Sequence, residues 1–153
     1  MAATPAADAL AELLEKLVEA LGLHATVSVD DDGELVRGRL DGEDLGLFIG
    51  RHGQTIDAVQ HIAMRVVANA AGERRLVEVD AEGYRERRAE MLRGQADAAA
   101  EDALRYGRPV SLDAMSATER KLVHEYLRER GDVETYSEGD EPHRHLVVAP
   151  LRP

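Results

Sequence analysis

Leu10, Leu13, Leu14, Leu17, Val18 and Leu21 recur at i, i+3, i+4 and i+7, the rhythm of a helix with one apolar face. Thr4 and Pro5 supply an N-cap and a proline at the first helical position, and Gly22 a stop. From Thr26 the period falls to two. It runs over Thr26–Val29 and Leu35–Leu40, with the turn Asp30-Asp31-Asp32-Gly33 between them, and predicts a β-hairpin. Arg37 and Arg39 then share one face of its second strand. Asp41-Gly42 and a short apolar turn follow. Helical spacing returns from Gln54 to about Asn69, where Ile56, Val59, Ile62, Ala63, Val66 and Val67 fall on one face. Ala71-Gly72 breaks this helix, and Leu76, Val77 and Val79 read as a third strand. The order is α, β, β, short α, loop, α, β.

Asp80-Ala81-Glu82-Gly83 marks a boundary, and a long helix is expected from about Tyr84 to Tyr106, roughly 35 Å at 1.5 Å per residue. Arg85, Arg87, Arg88 and Arg93 interleave with Glu82, Glu86 and Glu90 as a solvated, salt-bridged face. Gly107-Arg108-Pro109 stops it. A short strand over Val110–Leu112 precedes a helix that opens on a capping box, Ser116 with Glu119. Two strand-like stretches close the chain, Val133–Tyr136 and His145–Val148, around the acidic turn 137–142. This half reads α, β, α, β, β.

Composition narrows the function. At 153 residues and 44% apolar content the chain holds one domain or two small ones with a real core. The absence of cysteine excludes disulfide scaffolds, thiol nucleophiles and Cys-ligated zinc. No apolar run approaches the ~20 residues of a membrane span, and no basic, apolar leader opens the chain, so a cytoplasmic protein is expected. Net charge is −11, with 19 basic against 30 acidic residues. Repulsion of a polyanion is screened beyond about 8 Å at physiological salt, so a local basic patch can still hold phosphates, weakly and with strong salt dependence. Five aromatics are too few for folds that stack successive bases on exposed rings.

Two constellations carry candidate chemistry. The first is Gly50-Arg51-His52-Gly53, a Gly-x-x-Gly loop after the apolar Ile49 and before the helix start Gln54-Thr55. Glycines leave main-chain N–H groups uncovered, and a helix start adds partial positive charge; the KH fold grips a single strand with such a loop. A dinucleotide site needs G-x-G-x-x-G and a P-loop needs Gly-Lys-Ser/Thr, and neither is present. Two glycines before a helix are also an ordinary turn. The second constellation lies on the helix from Ser116 to Arg128. Leu122, Val123, Tyr126 and Leu127 face a core, and Arg120, Lys121, His124 and Arg128 share the adjacent arc. Arg120 and His124, four apart on the surface, form a pair suited to phosphate. Glu125 and Glu129 alongside suit a plain charged solvent face.

Arg120-x-x-x-His124, with Thr135-Tyr136-Ser137-Glu138-Gly139 and Pro142-His143-Arg144 behind it, resembles the single-strand nucleic-acid domain named for its Arg-x-x-x-His motif. Joined to Ile49-Gly50-Arg51-His52-Gly53-Gln54-Thr55 and Asp80-Ala81-Glu82-Gly83-Tyr84-Arg85, it resembles the bacterial Jag/KhpB (SpoIIIJ-associated) family over nearly the whole chain. The resemblance implies an α+β protein: a type II KH domain (α-β-β-α-α-β, a three-stranded sheet with helices on one face) over 1–80, and a small α-β-α-β-β domain over 81–153. It also implies non-catalytic binding of single-stranded RNA or single-stranded DNA, pairing with a small KH-only partner, no cofactor, and a link to cell elongation and division. RNA contacts are expected at Ile49, Gly50, Arg51, His52, Gly53, Gln54 and Thr55, and at Arg120, Lys121, His124 and Arg144. The sequence departs from the family at His52, which carries a full charge only when protonated, and at Ala114-Met115 in place of Pro-Met. The separate N-terminal domain of many relatives is missing, which leaves any membrane-insertase association unsupported.

The remaining chemistry is thin. His61 reads as a surface histidine beside Arg65. His143 and His145 would share a strand face near Glu141 but lack a third ligand at metal spacing, and His124 with Glu125 is a weak nuclease pair. No Ser, Asp or Glu has catalytic spacing. The competing reading is a protein-interaction adaptor, its acidic first half recruiting a basic partner or its helices pairing with another KH domain.

Overall fold

The computed structural model describes residues 3–151. Two compact units meet between Arg85 and Glu86, each with its own core.

In the first unit, α1 (Pro5–Ala20) starts where sequence placed it: the Thr4 hydroxyl accepts from Ala7 N at 3.1 Å. β1 (His24–Asp31) pairs antiparallel with β2 (Leu35–Glu43), and β3 (Leu76–Ala81) pairs parallel with β2, giving the order β1-β2-β3. A parallel return needs a crossover, supplied by α2 (Gly46–Ile49), a 3₁₀ turn (Arg51–Gly53) and α3 (Gln54–Ala71). The element order is the one expected. Alternate strand residues, Val36 and Leu40 on β2 with Val77, Val79 and Ala81 on β3, bury against Leu10 and Leu14 of α1 and Ile56, Ala63 and Val67 of α3. Gly38 lies where α1 crosses β2. A Cβ there would stand 2.5 Å from Leu14 Cδ1 and 3.0 Å from Leu10 Cδ2, so the residue's lack of a side chain sets how closely the helix lies on the sheet.

Two expectations for this unit are corrected. The second strand does not end at Leu40; Asp41 and Gly42 extend β2 opposite Thr26 and Ala25. Ile62 does not join the core, being 54% exposed. The face of α3 that meets the sheet is the narrower stripe Ile56, Val59, Ala63 and Val67, which leaves Ile62 at its solvent edge.

The second unit contains most of α4 (Tyr84–Tyr106), then β4 (Val110–Ser111), α5 (Ala117–Arg128), β5 (Val133–Glu138) and β6 (His145–Pro150). Its strands form an antiparallel sheet ordered β4-β6-β5. α4 buries mostly alanines (Ala89, Ala96, Ala99, Ala100, Ala103) with Leu92. Leu92, Ala96, Ala99 and Ala100 share the core with Val123, Leu127, Val133, Leu146 and Val148. The Ser116 hydroxyl caps α5 by accepting from Glu119 N at 3.3 Å. The Glu119 carboxylate instead meets Arg88 at 2.9 Å, both side chains largely buried. Arg88 is therefore not on a solvated face, and neither is Arg85, which turns to β3 and α3. His143 lies in the turn before β6, so it shares no strand face with His145; its carbonyl oxygen instead lies 3.2 Å from His145 Nδ1.

Candidate nucleic-acid interface

The Gly-x-x-Gly loop is held by its backbone. Gly50 has φ +75°, and a Cβ there would lie 2.2 Å from Thr55 Oγ1, so only glycine fits. His52 also takes a positive φ, +56°. Gly53, at φ +77°, is the N-cap of α3 and provides no side-chain cap. The four loop amides are not equivalent. Gly50 N donates to Gly46 O at 2.8 Å and Gly53 N to Gly50 O at 3.3 Å, so these two are satisfied within the protein. Among the described residues the amides of Arg51 and His52 have no such partner. The expectation that the glycines leave main-chain N–H groups uncovered is thus corrected: Gly50 and Gly53 bond theirs within the protein, and the two without such a partner belong to the exposed residues Arg51 and His52. Gln54 and Thr55 are exposed on the first turn of α3, and Ile49 is half-buried behind the loop.

A brace behind the loop escaped the sequence reading, which took Asp80–Gly83 as a boundary and Arg85 as part of a solvated face. A Cβ on Gly53 would lie 2.7 Å from Tyr84 Oη, so the start of α4 backs the loop directly. The neighbouring Arg85 donates from Nε to Val79 O (2.8 Å), from Nη1 to Asp57 Oδ1 (3.0 Å) and from Nη2 to Gln60 Oε1 (2.9 Å). Gln60 Oε1 also accepts from Val79 N at 3.0 Å, and Asp80 Oδ1 accepts from Arg85 N at 3.2 Å. Glu82 N donates to Leu40 O at 3.0 Å, and Gly42 N to Glu82 Oε1 at 2.6 Å. These bonds fix the first turns of α3, and so the loop, to the ends of β2 and β3. Polar Asp57 and Gln60, three apart beside buried Ile56 and Val59, were the available signal.

In the second unit, α5 and β5 enclose an open groove of about 400 Å³ lined by Arg120, Lys121, His124, Thr135, Tyr136 and Ser137 among others. Lys121 is exposed, and His124 Nδ1 meets Thr135 Oγ1. Arg120 is not on the surface; it is 9% exposed. Its Nη1 donates to Met115 O at 2.6 Å and its Nη2 to Glu141 Oε1 at 2.7 Å. The reason is helical spacing, since Arg120, Val123 and Leu127 are the buried residues of α5, at i, i+3 and i+7. Arg144 donates from Nη1 to Gly139 O at 2.7 Å and so holds the turn that carries Glu141. The groove brings Arg120, Lys121 and His124 together, while Arg144 is engaged in the turn.

Among the described residues no helix is long and apolar enough to cross a membrane.

Known proteins place these two units. The family model for the KhpA/KhpB KH domain matches residues 7–79, and that of the R-three-H (Arg-x-x-x-His) domain matches residues 90–150. The RNA-binding protein KhpB of Lactiplantibacillus plantarum is 38% identical over 144 residues, covering 94% of this chain and 45% of that protein. KhpB of Clostridium symbiosum is 35% identical over 144 residues, 93% of this chain and 65% of its own. KhpB of Bacillus subtilis is 33% identical over 141 residues, 91% of this chain and 68% of its own. The chain thus spans from under half to about two-thirds of the length of these relatives. With both domains matched in order and this identity across most of its length, the chain belongs to the KhpB family.

Proposed function

We propose that this protein binds single-stranded RNA without catalysis, gripping the sugar–phosphate chain at the loop 50–53 and at the α5 groove. The observation that carries the reading is the exposed Arg51-His52 pair, whose two amides have no partner among the described residues, beside an α3 start that no side chain caps. Two donors and a permanent cation at the positive end of a helix suit one or two phosphates. Family membership supports RNA as the ligand, since the relatives are named RNA-binding proteins. Work in the cytoplasm, in post-transcriptional control tied to cell elongation and division, and pairing with a small KH-only partner belong to the same proposal. Half-buried Val66 and exposed Ile62, one turn apart on α3, offer the apolar contact that pairing would use.

The test is titration of a labelled single-stranded RNA at about 50 and 200 mM salt. Micromolar binding is expected, with log K falling by about 0.7 per phosphate held for each decade of salt. Arg51→Asp with His52→Asp should weaken binding at least about tenfold, while the melting temperature barely moves because both side chains are exposed. Equal binding by parent and variant would leave the adaptor reading, with pairing through α3, in its place.

A further inference from the structure

We propose that Glu141 acts as an internal stand-in for phosphate, holding Arg120 until a strand displaces it. The inference rests on the reading of the α5 groove as a strand site and adds what sets its affinity. Arg120 lines that groove, yet its guanidinium is already satisfied: Nη1 by the Met115 carbonyl and Nη2 by the Glu141 carboxylate. The two partners differ in kind. The Met115 bond is buried and joins α5 to the segment before it. The Glu141 side chain is 61% exposed while that of Arg120 is 10% exposed, so the carboxylate approaches from the solvent side. There its Oε1 accepts from Nη2, a bond that a phosphate oxygen can make in its place.

Glu141 also sits on a segment with few other ties. The turn 139–144 is shaped by Arg144 on Gly139 O and by His143 N on Asp140 O at 2.8 Å, and Glu141 makes its side-chain bond to Arg120 alone among the described residues. A strand entering the groove therefore meets exposed Lys121 and His124, the latter held at Nδ1 by Thr135, but must exchange with a carboxylate to reach Arg120. Only the carboxylate side of the pair is exposed, so Glu141 can turn out to solvent as a phosphate takes its place on Arg120, and the cost of breaking the pair lowers the affinity.

Glu141→Gln keeps the shape and removes the charge. Binding of a labelled single-stranded RNA of about ten uridines, measured at 50 and 200 mM salt, should tighten roughly fivefold, with a salt slope steeper by about 0.7 as one more phosphate is held. Arg120→Met, which retains the apolar stem, should abolish that gain when combined with Glu141→Gln. If Arg120→Met does not fold, the slope of Glu141→Gln alone decides. Unchanged or weaker binding by Glu141→Gln, with the parent binding RNA, overturns the stand-in role and leaves the strand site in place. If neither protein binds, and Lys121→Ala with His124→Ala changes nothing, the strand site itself falls.

Discussion

Asp31 ends β1 and ties three parts of the first unit together. Its carboxylate accepts from the Thr4 hydroxyl at 2.7 Å, from Gly33 N at 2.9 Å and from the Arg75 guanidinium. The Arg75 bond above all, with Gly33 and Thr4 next, holds its pKa down at about 2, from an ordinary 3.8. Because the folded value is the lower one, this stability is fully present above about pH 4. It is lost as pH falls towards 2, where the unfolded chain takes up the proton first. The contribution is at most about 2 kcal/mol. Asp31→Asn should therefore lower the melting temperature by several degrees at pH 7, with the gap from the parent closing as pH approaches 2 in thermal scans. A constant gap across that window would show that the side chain acts by shape alone. At the same scale, Gly50 was readable as the residue a turn demands, and the structure adds why: Thr55 occupies the space a Cβ would need.

At the scale of elements, local chemistry was legible and distant partnership was not. The Thr4 cap and the Ser116 cap act within a few residues, so spacing alone located them; the hairpin turn was placed two residues early, since Asp30 and Asp31 still pair with Arg37 and Val36. Arg120 was misplaced because a charged residue on the core stripe is tolerable only with partners, and Glu141 is 21 residues away. The same holds for Arg88 with Glu119 and for Arg85 with Asp57, Gln60 and Val79. In each case sequence showed a charge on a helix but not the element that would meet it. The Arg85 brace predicts a distinctive phenotype. Arg85→Met removes three hydrogen bonds behind the loop and no contact to solvent phosphate. A stability loss of about 1–2 kcal/mol should accompany RNA affinity weakened roughly threefold, with the salt slope unchanged. A shallower slope would mean that Arg85 itself touches the strand.

The whole molecule works against its proposed ligand. A net charge of −11 repels a polyanion, and the first 80 residues alone hold 7 basic and 15 acidic side chains. Long-range attraction is therefore not what brings RNA in. Binding has to arise from short-range donors placed by the fold: two amides and Arg51 in one unit, Lys121 and His124 in the other. Each unit has its own core and its own candidate site, and the family places the two domains in this order. The central claim is that the Arg51 and His52 amides take the phosphate. Amide NMR of the full chain, titrated with an oligouridylate of about ten nucleotides at low salt, tests it most directly. The largest downfield shifts are expected at the Arg51 and His52 N–H resonances, with Gly50 and Gly53 moving less. Saturable binding that leaves Arg51 and His52 unmoved while shifting other amides would contradict it.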